Sequence, residues 1–172
     1  MRVRAMTAAD VEAVAAIRVT GWQAAYAGIL PQHYLDAMTV EEDVRLRRRR
    51  FSEGRTDRAD LVAVDAADRV LGWACLGPYR GPVPDPDPER AELYALYVEP
   101  ALVGSGVGRT LMAAVHAEAR DRGFAAVLLW VLEDNARARR FYERAGYTAD
   151  GAVQSEDYDG APAAEVRYGR RL

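Results

Sequence analysis

The stretch from Ala91 to Leu132, AELYALYVEPALVGSGVGRTLMAAVHAEARDRGFAAVLLWVL, decides the fold. Ala91 to Val98 is apolar and aromatic apart from one acid, which predicts a strand. Gly104 opens a glycine-rich turn that runs into a helix ending near Gly123. Ala125 to Leu132 is a second apolar strand. Strand, helix and strand in that order imply a parallel crossover.

Downstream, Asn135 is placed to cap a last helix with Ala138, Phe141, Tyr142 and Ala145 on one face, and Gly146 is placed to end it. The tail, Tyr147 to Leu172, predicts two short strands around Asp157 to Gly160. Upstream, Leu61 to Val64 and Val70 to Leu76 flank the polar Asp65 to Arg69, the pattern of a hairpin with one buried face. Pro82, Pro84, Pro86 and Pro88 mark an extended loop. Thr39 to Phe51 reads as a helix, acidic at its start and basic at its end, with Arg47 to Arg50 as a solvated terminus. Trp22 to Met38 reads as a broken segment with short helices. Thr7 and Asp10 form a capping signature for a first helix that Gly21 interrupts. Neither an internal repeat nor a linker divides the chain, so residues 1–172 are expected to form one mixed α/β domain.

A fold of 172 residues buries about 70% of its unfolded surface, enough for one core. With 50% hydrophobic and 28% charged residues the composition is that of a soluble globular protein. The formal net charge of -3 lacks the basic footprint of a nucleic-acid binder. All 23 basic residues are Arg, so Schiff-base chemistry, a phosphate-loop Lys and self-acylation on a side-chain amine are excluded. The start of the chain lacks the apolar stretch of a secretory signal, and no segment reaches the ~20 apolar residues of a membrane span. A cytoplasmic protein with no membrane partner is expected.

Val103-Gly104-Ser105-Gly106-Val107-Gly108-Arg109-Thr110 follows a strand and opens a helix. Several backbone N–H groups can therefore converge on one anion, where the helix dipole also favours negative charge. The nucleoside-triphosphate loop fits poorly, because three residues separate Gly104 from Gly108 and Arg109 stands in the place of Lys. The dinucleotide fingerprint needs its third Gly one place later than Gly108.

Gly-x-Gly at the start of the helix after the fourth strand, AELYALYVEP before it, VGRTLMAAVHAEARDRG after it, and NARARRFYERAGY downstream resemble the core motifs of the GCN5-related N-acetyltransferases, the GNAT superfamily, in their usual order. The resemblance covers Ala91 to Tyr147 well and the remainder loosely. It implies a GNAT fold of the α/β class: a mixed, mostly antiparallel central sheet whose fourth and fifth strands form a parallel, splayed pair, flanked by helices. It implies acetyl-CoA as co-substrate, clamped between the strand ending at Val98 and the one beginning at Ala125. Leu96, Tyr97 and Val98 would then offer backbone N–H groups, and Val103, Gly104, Ser105, Gly106, Val107, Gly108 and Arg109 would hold the pyrophosphate. The chain departs from the pattern at Val103, where similar proteins usually carry Gln or Arg.

Acetyl transfer needs a neutral nucleophile, whereas an alkyl amine with a pKa of roughly 10.4 is protonated at neutral pH. Glu92 lies on the strand leading to the loop, on one face with Tyr94, Leu96 and Val98 by period-two alternation. It is either the base, as a strand glutamate often is in similar proteins, or a bland strand-end carboxylate. Tyr142, seven residues after Asn135 and so about two turns on, is either a core aromatic or, as the resemblance implies, the proton donor to the departing thiolate. Asn135 is either only an N-cap or, as the resemblance implies, a cap that also lies beside the cofactor's pantetheine. Trp22, Tyr26 and Tyr79 are core packing or, by analogy, contacts to the acceptor.

Cys75 on an apolar strand reads as a small core residue. His33 and His116 make no metal motif, so no metal is expected. The reading is therefore an acetyl-CoA-dependent N-acetyltransferase acting by direct attack of a small-molecule or peptide amine, with homodimers frequent among similar proteins. The alternative is a catalytically silent acyl-CoA-binding module.

Overall fold

The computed structural model describes residues 1–54, 56–81 and 89–172. Its centre is a seven-stranded sheet built from β1 (Arg2–Ala5), β2 (Ala59–Val64), β3 (Val70–Pro78), β4 (Arg90–Val98), β5 (Ala126–Leu132), β6 (Thr148–Asp157) and β7 (Pro162–Arg171). The order across the sheet is β1-β2-β3-β4-β5-β7-β6, and every neighbouring pair is antiparallel except β4 with β5. The helices are α1 (Val11–Tyr26), α2 (Gln32–Asp36), α3 (Val40–Ser52), α4 (Val107–Asp121) and α5 (Ala136–Arg144).

Both faces of the sheet are covered. Val62, Val64, Trp73 and Cys75 pack with Val11, Val14 and Ile17 of α1. Leu61, Ala63, Ala74 and Leu76 pack with Leu111, Met112 and Val115 of α4. Consequently β2 and β3 are buried on both sides rather than on one, which explains their nearly unbroken apolar runs.

The Thr7–Asp10 signature is present: Asp10 Oδ2 accepts from Thr7 N at 2.7 Å, and Arg4 grips the same carboxylate at 2.7 and 2.8 Å. That pairing, led by the Arg4 hydrogen bond, holds the Asp10 carboxyl down at about 2. The helix beyond it does not stop at Gly21. A Cβ on Gly21 would lie 3.1 Å from Tyr97 Cδ1, so the glycine is where α1 crosses closest to β4. Five further residues, including Trp22 and Tyr26, continue α1 over the sheet.

Arg47 is not solvated: its Nε meets Asp43 at 2.5 Å and its guanidinium lies 4.0 Å from the Trp73 ring centre, pinning α3 to the sheet. The two tail strands are long, ten residues each, because β7 pairs along all of β5. Four-residue β1 carried no sequence signal. The expected proline loop, residues 82–88, lies outside the described residues.

Candidate active site

β4 and β5 pair only at Arg90–Ala126, Ala91–Val127 and Glu92–Leu128, then separate. The cause lies on the other edge of β4. Its register with β3 jumps from Leu76–Leu93 to Cys75–Ala95, leaving Tyr94 as an extra, bulged residue. A bulge bends its strand and increases the local twist, which turns the end of β4 away from β5. The bulge also breaks the expected alternation. Leu96 and Val98 pack on the α4 side, whereas Tyr94, Ala95 and Tyr97 face α1, so Glu92 does not share a face with Leu96 and Val98. The splay leaves backbone groups of β4 unpaired toward β5, and these are obligatory hydrogen-bonding groups.

A cleft of about 470 Å³ occupies the gap. Leu96, Tyr97 and Val98 form one wall; Val103, Gly104, Gly106, Gly108 and Arg109 form the second; Asn135, Phe141 and Tyr142 form the third. A second cavity of about 270 Å³ adjoins it, lined by Trp22, Glu92, Glu156, Tyr158 and Glu165 among others. The two share Tyr26, Leu93, Tyr94, Tyr97 and Trp130.

The start of α4 differs from those of α3 and α5. α3 and α5 have their first turns capped by side chains, Thr39 Oγ1 accepting from Glu42 N and Asn135 Oδ1 from Ala138 N. α4 instead begins at Gly106, with φ +97° and no side chain to cap it. The amides of Gly104, Gly106, Val107, Gly108 and Arg109 find no acceptor among the described residues. Such orphan donors at the positive end of a helix dipole suit a phosphate. Arg109, Arg137 and Arg144 also line the cleft without carboxylate partners among the described residues.

Two loop residues contribute no side chain to the cleft. Ser105 Oγ donates to Leu102 O at 2.6 Å, and Val107 is buried in the core. Gly108 has a second reason to lack a side chain, since a Cβ there would touch Phe141 at 3.4 Å.

Asn135 is buried and combines its cap with a place on the cleft wall. Tyr142 is half-buried on the same wall, and its hydroxyl has no partner among the described residues. Burial, with Tyr26 and Tyr147 nearby, raises its pKa well above that of an ordinary phenol. The Tyr142 hydroxyl therefore keeps its proton throughout the neutral range.

Glu92 is buried and lines the second cavity. Arg80 N and Nη2 donate to its two oxygens at 2.9 and 2.6 Å. Trp22 lines the second cavity and Tyr26 lines both. Tyr79 lines neither; its hydroxyl accepts from Arg167 Nη1 at 2.6 Å. Cys75 lines neither cavity, and burial beside Asp60 pushes its thiol up. His33 meets Asp159 at the surface, and His116 is buried against the Tyr147 hydroxyl. The reading from sequence missed Trp130, Glu156, Tyr158 and Glu165. No local pattern in the tail marked the two glutamates, which only strand pairing brings together.

Residues 22–147 match the model of the GNAT acetyltransferase family. The chain belongs to this family. With it comes acetyl-CoA as the acetyl donor, and the uncapped helix, free guanidinium groups and open β4 edge fit that molecule. An uncharacterized N-acetyltransferase of Mycobacterium tuberculosis is 35% identical over 147 residues, covering 85% of this chain and 86% of that protein. The mycothiol acetyltransferase of Rhodococcus erythropolis is 39% identical over 103 residues, but the chain spans only 33% of its length. Among solved structures, the PaiA N-acetyltransferase of Thermoplasma acidophilum, a complex with coenzyme A, shares the fold with a TM-score of 0.75. It is 22% identical and is covered to 98%, with 99% of this chain. No helix among the described residues is long and apolar enough to cross a membrane.

Proposed function

We propose that this acetyltransferase moves an acetyl group from acetyl-CoA to a primary amine of a small molecule or peptide, by direct attack within a ternary complex in the cytoplasm. The observation that carries the reading is the junction of the two cavities at Tyr26, Leu93, Tyr94, Tyr97 and Trp130. One cavity presents anion-binding amides and Arg side chains, and the other presents carboxylates.

Acetyl-CoA, when bound, supplies a thioester. The amides of Gly104, Gly106, Val107, Gly108 and Arg109 hold its diphosphate, and the unpaired edge of β4 at Leu96 to Val98 offers N–H groups to the carbonyl oxygen. Asn135 keeps the α5 wall in place through its cap. Glu92, oriented by Arg80, receives the proton of the incoming ammonium. Tyr142 Oη gives its proton to the departing sulfur. In balance, one N–C bond forms, one C–S bond breaks, and two protons leave the ammonium nitrogen, the first to Glu92 before attack and the second replacing the one that Tyr142 gives to sulfur. Cys75, buried and outside both cavities, takes no part, which supports direct attack over an acyl-enzyme.

The test is a panel of primary amines assayed for thiol release from acetyl-CoA, with mass spectrometry of the products. Acetamide product from at least one amine, reduced in Glu92→Gln, is expected. Saturable binding of acetyl-CoA with no thiol release across the panel would overturn the enzymatic reading.

A further inference from the structure

The second cavity is unbalanced in charge. Glu92, Glu156 and Glu165 line it, with Arg80 as its one cation among the described residues. Arg80 is committed to Glu92 through three contacts at 2.6, 2.9 and 3.3 Å and stacks 4.1 Å from the Tyr94 ring centre, so it neutralises only that carboxylate. The remaining two stand on the opposite wall.

Glu165 on β7 accepts from Gln154 Nε2 at 2.6 Å and from the Tyr158 hydroxyl at 3.4 Å. Both donors are neutral: they orient the carboxylate without cancelling its charge. Glu156 on β6 has no ion-pair partner among the described residues. The register pairs Gln154 with Glu165 and Glu156 with Ala163. Glu156 and Glu165 are therefore diagonal neighbours on one face of the sheet, roughly 7–8 Å apart at their backbones.

Two like charges so placed repel, Glu156 from the exposed rim and Glu165 from the partly buried wall, and a cation between them relieves that repulsion. The rest of the wall suits a cation too. Trp22 and Tyr158, 6.4 Å apart between ring centres, stand on the same cavity, and aromatic faces attract ammonium groups.

We infer that the acceptor is a dibasic amine: one nitrogen reaches the junction to be acetylated, while a second, still cationic, sits between Glu156, Glu165 and the aromatic wall. The inference rests on the proposed acetyl transfer and names the substrate class of that site. It explains why the far wall carries carboxylates that the transfer chemistry does not use. A zwitterionic acceptor would place its carboxylate against Glu156 and Glu165 and be rejected.

The experiment compares 1,4-diaminobutane, 1-aminopentane and 5-aminopentanoate, chains of matched length ending in ammonium, methyl and carboxylate. With saturating acetyl-CoA, kcat/KM is expected to be at least about tenfold higher for the diamine than for the alkyl amine, the size of one partly desolvated charge contact. It should be lowest for the amino acid. The diamine-to-alkylamine ratio should fall toward one in Glu156→Gln and Glu165→Gln and at high salt. Titration calorimetry with coenzyme A present should show the diamine binding and the amino acid not. Equal rates for all three amines, or a ratio unchanged in both variants, would overturn the dibasic reading while leaving acetyl transfer intact. No product from any amine despite cofactor binding would instead overturn the transfer reading itself.

Discussion

Replacing Gly106 with Ala, beside Gly123→Ala as a matched partner, separates the anion-binding role of the loop from the strain of its backbone. Both glycines have positive φ, 97° and 85°, one at each end of α4. Neither position is crowded: a Cβ at Gly106 has Arg109 Nη2 as its nearest neighbour at 3.6 Å, and one at Gly123 meets nothing within 4 Å. Each alanine therefore carries the left-handed penalty alone, roughly 1–2 kcal/mol. Both variants should lose similar stability, about 2–4 °C in Tm per kcal/mol for a chain of this size. Their effects on cofactor binding should differ sharply. Gly106 starts the run of unpartnered amides, and relaxing its φ re-aims the N–H groups of Val107 and Gly108. Loss of one hydrogen bond to a charged group, about 1.5–3 kcal/mol, weakens binding roughly ten- to a hundredfold. Calorimetric Kd values for coenzyme A should show that loss in Gly106→Ala and not in Gly123→Ala. Equal affinities in the two variants would refute the assignment of the loop.

Tyr142→Phe should lower kcat by roughly a hundredfold, the lower range for a removed proton donor, with coenzyme A affinity changed less than about threefold; unaltered kcat under saturating substrates removes the role. His116, buried against the Tyr147 hydroxyl with Arg170 beside it, has its pKa lowered to about 4 by burial first and Arg170 second. The unfolded chain takes up a proton near pH 6.5 that the folded chain refuses, so stability is complete above that pH and falls toward pH 4. At about 1.4 kcal/mol per pH unit the loss is on the order of 3 kcal/mol, and urea titrations of His116→Gln should lack this slope. Asp10, held near 2, should add its own loss only below about pH 3.8.

The part of the site written in local sequence was readable, and the part made by pairing was not. Gly104, Gly106 and Gly108 between a strand and a helix mark the uncapped helix start that the structure has, because backbone freedom acts within a few residues. Asn135 declared its cap for the same reason. The bulge at Tyr94 depends on which residues of β3 stand opposite, so period-two alternation along β4 misplaced Glu92 relative to Leu96 and Val98. Gly21 looked like a helix stop because its contact with Tyr97 is tertiary. Arg47 read as solvated because its partners, Asp43 and Trp73, lie one turn back and on another element. Glu156 and Glu165 sit in polar strands at the end of the sheet. Only the fold of β6 onto β7, and of β7 onto β5, brings them to the cavity beside Trp22.

The central claim is that main-chain amides at the start of α4 grip the diphosphate of coenzyme A. Amide NMR of the 15N-labelled protein titrated with coenzyme A tests it most directly. The largest shifts should fall on Gly104, Gly106, Val107, Gly108 and Arg109, saturating together at one equivalent. Saturable binding that leaves those five resonances in place and moves others would contradict the account.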